Sequence, residues 1–306
     1  MREDRLVDVP ASIRARLKNK ADSLGLSFDQ VLQYYAMERF LFRLAMTRWV
    51  DVMVVKGAAM LRVWEGAVAR PTRDIDFLGR VDGSPDSIVR MVRECLSVAV
   101  EDGLEFSSEV SVVPITLEDR YPGARVTVHC TLSGARTVLR LDVGVADVAF
   151  PAPGWVDYPT LLGTDPPRIL GYRPATAIAE KVESMLEKGL LNSRVKDYYD
   201  IWMLSRNLVF EGGELRDAIS ATCTHRDTAI PTARPSVLDN EYADQPATRA
   251  QWASFIRRLH AAGVEAPADF KVVVEQVSGF VMPVLAAAAA DEPFDLLWKP
   301  ALGWMD

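Results

Sequence analysis

The sequence predicts an α+β chain, in which helices frame β-rich segments over the first half and the second half is mostly helical. Three observations carry that prediction. Residues 106–150 alternate apolar and polar positions as half-buried strands do. Residues 151–167 contain Pro151, Pro153, Gly154, Pro159, Gly163, Pro166 and Pro167, a breaker-rich stretch that reads as a boundary. Beyond it, apolar residues recur at helical spacing. Two domains are therefore expected, residues 1–165 and residues 166–306.

Taken in order, residues 10–48 read as two helices. Pro10 and Ser12 open the first, Gly25 breaks it, and Ser27 caps a second with Val31, Leu32, Tyr35, Phe40, Leu41 and Leu44 on its apolar face. The run VDVMVVKG reads as a strand ended by Gly57, followed by a short helix over AAMLRVWEG and by the strand that begins near Thr72. Residues 84–102 suggest a helix with Val89, Val92, Leu96 and Ala99 at helical spacing. Two strand-like runs then flank Ser133-Gly134-Ala135-Arg136, a hairpin signal. Past the boundary, Pro174 and Gly189 bracket a helix. Ala175, Ile178, Val182, Met185 and Leu186 form its apolar stripe, Glu180, Glu183 and Glu187 lie opposite, and Lys181 borders the stripe. The next helix, from Asn192 to Trp202, is apolar nearly all round and is expected to be buried.

Composition narrows the chemistry. The chain has 306 residues, a net charge of −7, three cysteines and three histidines. Cys95, Cys130 and Cys223 are too scattered for a disulfide framework or a Cys-x-x-Cys zinc site. His129, His225 and His260 occur without His-x-x-x-His or Gly-x-Ser-x-Gly, which argues against zinc hydrolases and Ser-His-Asp enzymes. The N-terminal residues lack the apolar core of a signal peptide, and no stretch is read as reaching the roughly 18 apolar residues that a membrane span needs. A cytoplasmic protein without a membrane association is expected.

The most informative stretch is Thr72-Arg73-Asp74-Ile75-Asp76-Phe77. In a strand, alternate side chains share a face, so Asp74 and Asp76 stand together while Arg73, Ile75 and Phe77 face the other way. Two like charges held that close invite a cation between them. Hard oxygen ligands of this kind suit Mg²⁺, which is typically shared between one or two carboxylates and the phosphates of a nucleotide. In the later strand Leu139, Leu141 and Val143 face one way and Arg140 and Asp142 the other, so Asp142 would join the pair if its strand neighbours theirs. On the helix after Asn192, Arg194 and Asp197 are i,i+3 neighbours and Lys196 and Asp200 i,i+4 neighbours. Ion pairs or a functional cluster both account for that pattern.

Lys56-Gly57-Ala58, Thr72-Arg73-Asp74-Ile75-Asp76, Glu180-Lys181 and Arg194-x-Lys196-Asp197-x-x-Asp200, in this order, resemble the AbiEii/AbiGii nucleotidyltransferase toxin family, including its MenT-type members. The likeness runs through most of the chain. It implies a DNA polymerase β-like nucleotidyltransferase domain with a mixed sheet, followed by a mostly helical C-terminal domain that completes the active-site cleft. It implies the toxin of a bacterial toxin-antitoxin pair, using Mg²⁺ or Mn²⁺ to move a nucleotide from an NTP, often a pyrimidine NTP, to the 3′ end of tRNA and so to stop translation. Its partners would be tRNA, NTP and a cognate antitoxin.

Carried over by position, Asp74, Asp76, Lys181 and Asp200 are the expected catalytic residues. Lys56, Gly57, Ala58, Arg73, Lys181, Arg194, Lys196 and Asp197 are expected to bind nucleotide. Asp74 and Asp76 are expected to hold metal, with Asp142 as the third carboxylate by strand facing and analogy. The chain departs from the family at Ala58, where Ser or Gly is common. A protein or small-molecule acceptor, or a non-catalytic module that binds RNA or an antitoxin, are the alternatives.

Overall fold

The computed structural model describes residues 8–66, 69–117, 121–145 and 147–306, apart from the side chains of Leu117 and Tyr121. The chain forms two compact units, residues 1–147 with 154–171 and residues 148–153 with 172–306.

The first unit opens with α1 (Val9–Leu24) and α2 (Phe28–Ala45). Asp8, rather than Ser12, caps α1, its carboxylate accepting from the Ala11 N–H, and Gly25 ends the helix at φ 65°. Ser27 caps α2 as expected, and Val31, Leu32, Tyr35, Phe40, Leu41 and Leu44 are all buried. Then follow β1 (Met53–Lys56), α3 (Ala58–Glu65), β2 (Ile75–Gly79) and α4 (Pro85–Leu96). The buried residues of α4 are Ile88, Met91, Val92 and Cys95. The stripe is thus rotated by about one position from the expected one, and Ala99 lies beyond the end of the helix at Leu96.

The remaining strands of this unit are β3 (Leu104–Leu117), β4 (Tyr121–Leu132), β5 (Ala135–Val145), β6 (Gly154–Asp157) and β7 (Arg168–Gly171). They build a seven-stranded sheet in the order β3-β4-β5-β2-β1-β7-β6. The β5–β2 and β1–β7 pairs are parallel and the others antiparallel, so the sheet is mixed. The β4–β5 hairpin turns on Ser133 (φ 46°) and Gly134 (φ 80°), two successive positive values that match the strand twist of a two-residue turn. On one face Val126, Val128, Leu139, Leu141 and Val143 are buried, and α2 packs there against β5.

Under α2 lies a buried charged network. Arg39 and Arg43 both hold Asp102, Arg39 Nε at 3.1 Å and Arg43 Nη2 at 3.1 Å from its carboxylate. Tyr35 donates its hydroxyl to the Asp102 carbonyl at 3.0 Å. Glu38, 1% exposed, accepts from the Leu161 N–H at 2.7 Å.

The second unit contains α5 (Pro174–Lys188), α6 (Val195–Asn207), β8 (Phe210–Glu211), α7 (Gly212–His225), α8 (Asn240–Asp244), α9 (Pro246–His260), α10 (Phe270–Ala290), β9 (Leu297–Lys299) and β10 (Gly303–Met305). Pro174 starts α5 and Gly189 (φ 50°) follows its end, as read from the sequence. The Glu180–Glu183 side of α5 is not a solvated face, however. Glu183 is 3% exposed and binds Arg226 Nη1 at 2.8 Å and the Thr228 hydroxyl at 2.6 Å. A buried arginine after α7 reverses the burial that periodicity alone assigns.

Length and composition make α10 long and apolar enough to cross a membrane, which corrects the sequence reading; its few polar residues, Lys271, Glu275 and Gln276 among them, interrupt a strictly apolar count. Half of its most apolar window is buried, with Val273, Val274, Val277, Phe280, Val281 and Val284 in the core of this unit. The tail packs on this helix and on α6. Trp304 donates its indole N–H to the Phe280 carbonyl at 2.9 Å, and Trp298 donates to the Ser205 carbonyl at 2.6 Å. The three cysteines are buried and free, and burial pushes each thiol up to about 12, which leaves them inert.

Candidate active site

Strand register brings three of the expected residues of the first unit together, Lys56, Asp76 and Asp142. Lys56 on β1 lies opposite Asp76 on β2, Asp76 lies opposite Asp142 on β5, and Asp142 lies opposite Arg125 on β4. Directly opposed residues present their side chains on one face. Four charges therefore form a row across four strands, in the order cation, carboxylate, carboxylate, cation. The face behind this row is the apolar one filled by Ile75, Phe77, Leu141 and Val143.

Gly57 closes the row. It holds φ 65° and ψ −152°, a region essentially reserved for glycine, and a Cβ there would collide with the Asp76 carboxylate. The turn and the second aspartate of Asp-x-Asp are thus one piece of structure. Ala58 then begins α3, whose first backbone N–H groups lie just past the turn. Such groups attract anions, with or without a side-chain hydroxyl.

Asp74 lies just before β2, and the Thr72 hydroxyl donates to its carboxylate at 2.7 Å. Gln33 of α2 ties this segment to β5, its amide donating to the Arg73 carbonyl at 3.2 Å and to the Val138 carbonyl at 2.8 Å. The Arg73 side chain is exposed. Lys56 Nζ stands 3.5 Å from the Asp147 carboxylate.

Arg125 and Gln33 are the residues that sequence reasoning missed. Arg125 grips Asp142 with two bonds, Nε to Oδ1 at 2.8 Å and Nη2 to Oδ2 at 2.6 Å. That pair, with a further contribution from Asp74 and Asp76, pushes the Arg125 guanidinium still further above its ordinary value. The alternation of β4 gave the one available signal, an arginine among residues facing away from the core.

A divalent ion fits this row in two respects. The donors are hard carboxylate oxygens, and a cationic guanidinium already sits against one of them under the influence of the other two. Among the described residues no group of three or more His, Cys, Asp and Glu forms a ready-made cage.

The second unit assembles the other expected residues. Lys181 of α5 reaches α6, its Nζ 3.0 Å from Asp200 Oδ2 and 3.5 Å from Asp197 Oδ1. Arg194 Nε holds the other Asp197 oxygen at 2.7 Å. Asp197 and Asp200 are 1% and 0% exposed. The i,i+3 pair of Arg194 and Asp197 forms, whereas Asp200 is bound by Lys181 and Lys196 is exposed. Two buried aspartates thus fix the position of the lysine amine. Glu180, next to it, is bound by the Tyr172 hydroxyl at 2.9 Å and by Arg226 Nη2 at 3.3 Å.

A mixed sheet carries the opposed aspartates Asp76 and Asp142 behind a glycine turn, and the family match identifies the class as a nucleotidyltransferase. Residues 39–276 match the family model described as nucleotidyl transferase AbiEii toxin, type IV toxin-antitoxin system, and the chain belongs to that family. Two crystal structures of Helicobacter pylori proteins are similar to it. One, described as a nucleotidyltransferase, has 10% identity and a TM-score of 0.48, covering 87% of this chain and 98% of its own. The other, JHP933, has 12% identity and a TM-score of 0.49, covering 87% and 95%. No curated protein matches the chain.

Proposed function

We propose that this toxin transfers a nucleotide from an NTP, preferably a pyrimidine NTP, to the 3′-hydroxyl of tRNA and thereby blocks translation. The observation that carries the reading is the row Lys56–Asp76–Asp142–Arg125 with Gly57 packed against Asp76. The tRNA acceptor and the pyrimidine donor are supported by the resemblance of the motif set to toxins that act there.

Asp74 and Asp76 would hold the divalent ion, Mg²⁺ with Mn²⁺ as its substitute. When bound, the ion supplies charge neutralisation at the phosphates. The backbone N–H groups that follow Gly57, at Ala58 and Ala59, would bind phosphate oxygens. Lys56 and Arg73 add positive charge to that end of the sheet. Lys181, oriented by Asp197 and Asp200, is assigned to the triphosphate, with Arg194 and Lys196 as flanking cations. In the reaction, the acceptor oxygen bonds to the α-phosphorus, the bond from that phosphorus to the bridging oxygen breaks, pyrophosphate leaves and the hydroxyl proton passes to solvent. Most of the catalysis is positioning and charge neutralisation. The NTP and tRNA pools place this activity in the cytoplasm, where a cognate antitoxin would act.

The acceptor is tested by offering labelled NTP with intact tRNA and with tRNA whose 3′ diol has been oxidised by periodate. Labelling of intact tRNA alone is expected, and Lys181→Ala should raise the KM for NTP. Equal labelling of both, or label on protein, would overturn the 3′-end reading.

A further inference from the structure

We propose that Arg125 controls how many divalent ions the aspartate row holds, by occupying Asp142. The inference rests on the reading of Asp74 and Asp76 as the ion-holding pair. Asp142 is Asp76's neighbour on the next strand, about 5 Å away in the sheet. It is 4% exposed, so its charge needs a partner at all times. Arg125 meets that need completely, because both Asp142 oxygens are engaged at 2.8 and 2.6 Å. A cation seeking Asp142 must therefore displace the guanidinium first.

The two partners differ in freedom. The Asp142 side chain is 6% exposed and the Arg125 side chain 49%. Arg125 can swing into water at little desolvation cost, while Asp142 stays where its strand holds it. The pair behaves as a latch. When it is closed, Asp74 and Asp76 would hold one ion; when it is open, Asp142 would become available as a third carboxylate and a second ion could be held. Arginine cannot shed its proton, so the latch opens through competition by another cation, or by a phosphate that captures the guanidinium, and not through pH.

Manganese titration without nucleotide, read from the electron paramagnetic resonance of free Mn²⁺, tests this directly. One ion per chain is expected for the native protein, two for Arg125→Gln, and one again for Arg125→Gln combined with Asp142→Asn. Arg125→Lys, which can engage only one carboxylate oxygen, should bind the second ion more weakly than Arg125→Gln does, and it serves if the glutamine variant fails to fold. A native protein that already binds two ions, or folded Arg125 variants that bind only one, would overturn the latch. Equal manganese binding by the native protein and Asp76→Asn would instead overturn the reading of the ion-holding pair.

Discussion

At Gly57 two constraints meet on one atom. The backbone takes a conformation that a side chain tolerates poorly, and the space a Cβ would fill belongs to the Asp76 carboxylate. Gly57→Ala therefore adds strain of about 1–3 kcal/mol and pushes aside an expected catalytic carboxylate. We expect a melting temperature lower by several degrees together with a loss of transfer activity. An alanine variant with native stability and native rate would show that the close approach has no role. Sequence spacing singled out both residues, but not their contact, because that depends on the antiparallel register of β1 against β2. The same limit explains Arg125: its position opposite Asp142 is set by the hairpin register, while in the sequence it is one arginine among many. Lys181 differs. Its place beside the apolar stripe was legible, but the two aspartates that hold it come from the next helix, and only the packing of α5 on α6 reveals which charges pair.

At the scale of elements, α2 carries both the apolar face expected of it and an unexpected buried acid. Glu38 has one oxygen on the Leu161 N–H and the other 3.8 Å from Arg39 Nη1, without a hydrogen bond. Burial raises its carboxyl from 4.5 to about 7, against the lowering effects of the Leu161 N–H and of Arg39 and Arg62. A group whose folded value is raised favours the fold fully below its unfolded value and loses that contribution as pH rises through the folded one. The stabilisation from protonated Glu38 should thus be complete below pH 4.5 and gone above about 7. A change of this size corresponds to about 3 kcal/mol at most. Glu38→Gln keeps the acceptor for Leu161 and removes the titration. Denaturant unfolding at pH 5 and pH 8 should show the native protein losing stability relative to the variant at the higher pH. A difference between the two proteins that does not change with pH would contradict this assignment. Helical periodicity could not flag Glu38, since a glutamate among apolar residues looks the same whether it reaches water or an inward N–H.

At the scale of the whole molecule, the division into a sheet-bearing part and a helical part was legible because strand alternation and helical spacing are local signals. The long β4–β5 hairpin, the Asp-bearing strand and the proline-started α5 all follow from such signals. What was not legible is long-range. The breaker-rich stretch reads as a boundary, yet it contains β6 and leads directly into β7, which together extend the sheet beyond β1. The buried Glu183–Arg226 pair and the tryptophan cluster on α10 likewise join residues far apart in sequence. One measurement reports which bond is made. Total tRNA is incubated with NTP labelled at the α-phosphate or at the γ-phosphate, using the native protein and Asp76→Asn. We expect that α-label enters the RNA, that γ-label does not, and that the variant loses the transfer by on the order of a hundredfold or more. Transfer of γ-label, or undiminished α-labelling by Asp76→Asn, would contradict this expectation.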